Sequence, residues 1–210
     1  MKQLTESAYW LRSAVGARCY WLEAGDRVAI IDPGMLAGLS RVTAELRQAG
    51  RYPNQVTDIL LTHHDFDHAQ TAAIWQKRNG ARVWLGAEDI AVLAGAADPS
   101  SRMRRLSSRL VRVELPERVQ PIVGDAELWP GLTAVHTPAH TPGHHCFQWR
   151  DVLFVGDAAR ARQGRLVPSP SWQMSALDQA PDELARLRAL PVTWYRSEEH
   201  TSELQSLRHL

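Results

Sequence analysis

Thr62-His-His-Asp-Phe-Asp-His-Ala69 is the stretch that decides how this chain is read. His63, Asp65, Asp67 and His68 put four side chains able to hold a metal into six residues, directly after the apolar run Ile59-Leu60-Leu61. A short apolar run bounded by polar residues reads as a buried strand, here one that ends at a ligand-bearing loop. Imidazole nitrogens and carboxylate oxygens together suit borderline or hard divalent ions, so the residues alone propose a metal site and leave zinc, iron and manganese open.

Two later segments carry the chemistry to complete it. In His136-Thr-Pro-Ala-His140-Thr-Pro-Gly-His144-His145, prolines and a glycine set tight turns around histidines that follow the apolar stretch Leu132 to Val135. Val152-Leu-Phe-Val-Gly-Asp157 is again a short apolar run that delivers a carboxylate at its end. Three strand-end motifs point to one polynuclear centre.

These motifs, in this order, resemble the metallo-β-lactamase fold: a His-x-His-x-Asp-His signature, a Thr-Pro-Gly-His type turn, and Gly-Asp after a hydrophobic strand. The resemblance runs from about Ala8 to Tyr195. It implies an α/β fold, an αββα sandwich of two mixed β-sheets flanked by helices. It also implies two divalent metal ions, zinc first, with iron or manganese as alternatives. Carried over residue by residue, His63 and His140 belong to the first metal position, Asp67 and His68 to the second, and Asp157 bridges them. Asp32-Pro-Gly34 matches the family's Asp-x-Gly, whose aspartate orients an imidazole from behind.

The chain departs from the pattern in three places. Asp65 stands where the family has its second histidine, so it is expected to join the first position as a carboxylate ligand. Ala139 replaces a common glycine. From Arg196 to Ser206 the sequence resembles one translated frame of a sequencing-library adapter, which predicts a domain over residues 1–195, truncated at its C-terminus, and a non-native tail over residues 196–210. The family's final ligand is a histidine in a loop after the last strand, which Leu190 to Tyr195 leads into. On that reading the chain lacks it, His200 is not assigned as a ligand, and the second position is weakened.

Composition fits a soluble enzyme. The 210 residues are 44% apolar with a formal charge of +1, or +2 without the two arginines and three glutamates from Arg196 onward. That length and apolar share allow a substantial core. Near-neutrality argues against a nucleic-acid partner. No apolar stretch approaches the ~18 residues of a membrane span, and the first residues lack the order of a secretion signal, so a cytoplasmic location is expected. Cys19 and Cys146 read as small core residues. A serine-nucleophile elbow and a phosphate-cradling loop are both missing from the sequence.

Coarse periodicity predicts strands at 9–13, 18–23, 28–32, 58–62, 82–85, 119–123, 132–136, 146–150 and 152–155. Helices are expected at 39–48, 67–78, 88–93 and 181–190. The basic stretch Arg102 to Arg112 is read as a solvated helix face with Met103, Leu106 and Leu110 packed inward, in preference to a lid that attracts an anion. Trp172 and Met174 either line a pocket or plug the core edge. His64, His136, His145 and His209 read as solvated or hydrogen-bonded, with His144 a possible support of the site.

The activity this predicts is that of a hydrolase, in which a metal-bound hydroxide attacks an ester, thioester, lactone or related bond of a small molecule, with Asp67 and Asp157 catalytic. The carboxylate at Asp65 motivates an alternative, a non-heme iron oxidoreductase of sulfur dioxygenase or oxygen-reductase type. A non-catalytic metal-binding remnant is the third reading.

Overall fold

The computed structural model describes residues 1–162 and 165–197. The N-terminal half forms a seven-stranded sheet in sequential order. Its strands are β1 (Lys2–Gln3), β2 (Ala8–Leu11), β3 (Cys19–Ala24), β4 (Arg27–Ile31), β5 (Asp58–Leu60), β6 (Arg82–Gly86) and β7 (Val119–Ile122). The first four pair antiparallel and β4 to β7 run parallel. The crossovers carry helices α1 (Leu36–Gln48), α2 (Phe66–Ala69), α3 (Ala72–Asn79), α4 (Ala87–Leu93) and α5 (Arg102–Leu110).

The second sheet has the order β14-β11-β10-β9-β8, from β8 (Ala126–Trp129), β9 (Leu132–His136), β10 (His145–Trp149), β11 (Val152–Gly156) and β14 (Trp194–Ser197). Only β14 runs parallel to its neighbour, so both sheets are mixed. A hairpin of β12 (Ala159–Arg162) and β13 (Arg165–Pro168) and helix α6 (Ala180–Arg188) cover the outer face.

Period-two alternation builds the layers. In β3, Tyr20 and Leu22 face the second sheet while Cys19 and Trp21 face the helices; in β11, Val152 and Phe154 face the first sheet while Leu153 and Val155 face α6. The inter-sheet core joins Tyr20, Ile31 and Leu60 to Phe147, Trp149 and Phe154. This is the expected αββα sandwich. Cys19 and Cys146 are buried in it, as expected. No helix among the described residues is long and apolar enough to cross a membrane.

Several boundaries differ from expectation for local reasons. The helix expected over 67–78 is two helices, because the Thr71 amide and hydroxyl bond to the carbonyl of Gly34, and the hydroxyl also bonds to Pro33, pinning the junction to the Asp32-Pro-Gly loop. The hairpin β12–β13 and strands β1, β8 and β14 carry no clear apolar period. β14 continues two residues past Tyr195, through Arg196 and Ser197, where the Ser197 hydroxyl accepts from the Ala161 amide at 2.9 Å. The rest of the expected tail, with His200 and His209, lies outside the described residues.

The largest correction concerns α5. Met103, Leu106 and Leu110 are 50%, 60% and 77% exposed, whereas Arg104 is buried. The helix turns its apolar stripe outward because a part-buried carboxylate, Asp65, draws the guanidinium of Arg104 inward. Trp172 is exposed, and Met174 packs on Ala139 and Ala180 at the core edge.

Candidate metal centre

Parallel strands β4 and β5 end side by side, so the loops after Ile31 and Leu60 open at the same edge. Asp32 sits in the first of these loops at φ 45°, a left-handed conformation uncommon outside glycine, and the mark of a position fixed by its surroundings. Its carboxylate accepts the amide and hydroxyl of Thr62, both at 2.8 Å, and faces His68 Nδ1 at 3.0 Å. Thr62 Oγ1 in turn lies 3.0 Å from His63 Nδ1. With their Nδ1 atoms engaged behind them, both imidazoles present Nε2 to the centre.

Those Nε2 atoms meet the other two motifs. His63 Nε2 lies 3.2 Å from His140 Nε2 and 3.4 Å from Asp65 Oδ2. Asp157 offers one oxygen to each side, Oδ2 at 3.6 Å from His140 Nε2 and Oδ1 at 3.7 Å from His68 Nε2. Asp67 Oδ2 is 3.9 Å from His68 Nε2. His63, His140 and Asp157 each place a ligand atom within 4.8 Å of the others, as a single cation needs. Of the six residues singled out in the sequence, His63, His140 and Asp157 meet most closely, Asp65 and His68 lie against them, and Asp67, its side chain 38% exposed, approaches only His68.

The electrostatics follow from burial and charge. Burial, then the neighbouring His63, pushes His140 down to about 4, so its ring is neutral and keeps a lone pair. Burial would also lower His68, but Asp32, Asp67 and Asp157 outweigh it and hold that imidazole well above its usual range. The carboxylates Asp65 and Asp157 are held low despite burial, Asp65 by its contacts with His63 and Arg104 and Asp157 first by the charge of His68. Buried imidazoles and carboxylates in mutual contact fit a divalent cation by their chemistry.

Two glycines are required by this packing. Gly16 has φ 88°, and a Cβ there would come within 2.5 Å of the Asp67 carbonyl oxygen. Gly156 has φ 49°, and its Cβ would fall 2.9 Å from both His144 Nε2 and Thr62 Oγ1.

Three residues that sequence reading passed over organise the site. Asp89, buried in the first turn of α4, accepts the amide of His64 at 3.0 Å, the hydroxyl of Thr141 at 2.8 Å and the amide of Gly143 at 3.0 Å. It ties the His63 loop to the His140 loop, and its sequence setting, Ala-Glu-Asp-Ile, gives no sign of that. Glu183 on α6 accepts the Ala139 amide at 2.6 Å, beside His140. Arg104 reaches the centre itself, donating from Nε to both oxygens of Asp65 at 2.8 and 3.0 Å and from Nη2 to His140 Nε2 at 2.8 Å. His144 is buried beside the rings of His63 and His140, its Nδ1 2.7 Å from Thr137 Oγ1. Beside Asp65 opens a cavity of about 350 Å³, lined by His64, Asp65, Phe66, Leu93, Arg104 and Val111 among others.

The sequence profile of the Metallo-beta-lactamase superfamily matches residues 13–197. This chain belongs to that superfamily. Its curated superfamily relatives include the hydroxyacylglutathione hydrolase of Pseudomonas paraeruginosa, 31% identical over 87% of this chain and 60% of the relative. The hydroxyacylglutathione hydrolase of Cereibacter sphaeroides is 33% identical over 66% of this chain and 46% of the relative. The chain thus spans about half the length of these relatives. Among solved structures, a metallo-beta-lactamase family protein from Thermus thermophilus superposes with a TM-score of 0.75 at 22% identity, covering 97% of this chain and 76% of that one. A B3 metallo-beta-lactamase with an active-site glutamic acid superposes with a TM-score of 0.76 at 18% identity, covering 98% and 82%. The superfamily fold is thereby established.

Proposed function

We propose that the chain is a metal-dependent hydrolase of a small-molecule thioester, with a hydroxyacyl thioester of glutathione as the leading substrate class. The observation that carries this reading is the convergence of His63, His140 and Asp157 from three separate strand-end loops. The hydroxyacylglutathione hydrolases among its relatives narrow the bond to a thioester.

In this reading His63, Asp65 and His140 hold a cation on one side, Asp67 and His68 on the other, and Asp157 lies between them, with zinc the leading ion. A divalent ion there supplies Lewis acidity, lowering the pKa of water towards neutrality and polarising a carbonyl. The chain's own residues do the rest. Asp32 and Thr62 fix the rings of His68 and His63, so the donors need no reorganisation when substrate arrives. Asp67, the exposed carboxylate of the set, orients the attacking water and holds its proton. The cavity beside Asp65 is of a size to take the acyl part of a small substrate and keep bulk water from it.

The test is hydrolysis of a hydroxyacyl thioester of glutathione, followed by release of free thiol, before and after chelation. Turnover that is lost on chelation and restored by zinc is the expected result. Turnover indifferent to chelator, or no turnover in a zinc-loaded sample, contradicts it. Iron in place of zinc in the purified protein, together with oxygen consumption, would favour the oxidoreductase reading instead.

A further inference from the structure

Arg104 is placed where a cation would be. Its guanidinium touches three segments: Nε donates to both Asp65 oxygens, Nη2 to His140 Nε2 at 2.8 Å and to the Gln173 carbonyl at 3.0 Å, and Nη1 to Ser175 Oγ at 3.1 Å. The seat is braced, because Ser175 Oγ donates to the His140 carbonyl at 2.6 Å and the Ser175 amide bonds to Ala139. The helix that delivers it is capped by Ser101, whose hydroxyl accepts the Arg104 amide. This is a built pocket for one side chain.

A guanidinium is a permanent cation with donors only. Facing it, His140 must present the Nε2 lone pair, the same lone pair a metal on that side would take. Asp65 likewise spends both oxygens on Nε, and its negative charge is cancelled by the arginine. Guanidinium and divalent ion are therefore mutually exclusive there, by occupancy and by like-charge repulsion. The other side differs, because there His68 Nε2 faces carboxylate oxygens of Asp157 and Asp67, at 3.7 and 3.9 Å.

We propose that Arg104 is an internal competitor of the first cation. With it seated, the His140 Nε2 lone pair and the Asp65 carboxylate are closed to a divalent ion, and an ion takes them only when α5 withdraws. The inference rests on the metal reading above, but its readout is the number and affinity of bound ions and not turnover.

The experiment is zinc titration of the full chain by calorimetry, with metal content measured after desalting. The wild type binds no more than one zinc tightly. Arg104→Met, which keeps an unbranched apolar stem but removes the charge, gains a second zinc or tightens the first-side ion by at least about tenfold. Because that variant leaves Asp65 without its partner and can fail to fold, Asp65→His/Arg104→Met, which removes both charges together, is measured beside it and binds two. Two tight zincs in the wild type, or the same stoichiometry and affinity in all three proteins, overturns the proposal. No zinc in any of them overturns the metal reading itself.

Discussion

The two sides of the donor cluster use the same kinds of side chain and differ in where the neighbouring charge stands. On one side the Asp32 carboxylate lies behind His68, occupies Nδ1, and leaves Nε2 aimed at Asp157 and Asp67. On the other, the Arg104 guanidinium lies in front of His140 and takes the Nε2 lone pair itself. A carboxylate behind an imidazole prepares it for a cation, and a guanidinium before it stands in for one. Ligand identity alone thus does not fix how ready a position is to bind; the partner of each ligand does.

The sharpest way to break both sides together is to remove the residue that holds their loops. Asp89→Ala orphans the amides of His64 and Gly143 and the Thr141 hydroxyl, all buried, and is expected to cost about 3 kcal/mol or more in urea unfolding. A loss below about 1 kcal/mol would mean that the loops hold themselves.

Asp32→Asn acts directly on His68 and, through Thr62, on His63. It keeps the shape but offers His68 a weaker acceptor, and zinc affinity is expected to fall by about 10–100-fold, seen in competition with a chromophoric chelator. Unchanged affinity would mean that Asp32 does not position His68. Gly16→Ala forces a side chain into the Asp67 backbone at a positive φ, at a cost of roughly 1–2 kcal/mol in stability. Zinc affinity should fall with it, whereas a variant with wild-type stability and zinc affinity would show that the contact relaxes freely.

The smallest effect isolates the His140 loop. Burial pushes Glu183 up to about 7 from its ordinary 4.5. Between those values the folded chain holds a proton that the unfolded chain has lost, so this group subtracts stability as pH rises through the window. Glu183→Gln is therefore expected to be more stable than the wild type at pH 8, by on the order of 1 kcal/mol, with the gain vanishing near pH 4. Thermal melts at the two pH values check it, and an equal gain at both would exclude the titration.

The sandwich and the side chains that cluster at its edge were legible in the sequence for one physical reason. Buried strands are written as apolar runs and their ends as residues that cannot be core, so Leu60 into His63, Val135 into His140 and Val155 into Asp157 announce themselves. Helix α5 was misread because its stripe of Met103, Leu106 and Leu110 has helical spacing, and spacing says which residues share a face but not whether that face is buried. What decided it was an ion pair across 39 residues of chain, to which local periodicity is blind. Asp89 and Glu183 escaped similarly, since their partners are backbone amides of distant loops.

If these loops form one cation-binding centre, an ion supplied to the crystal must be found between them. Diffraction data collected at the zinc absorption edge from crystals grown with zinc test it most directly. The expected result is an anomalous peak bonded at about 2.0–2.2 Å to an Asp157 oxygen and to at least one imidazole Nε2 of His63, His68 or His140. A structure with those four side chains apart, or with zinc only at unrelated surface residues, would contradict it.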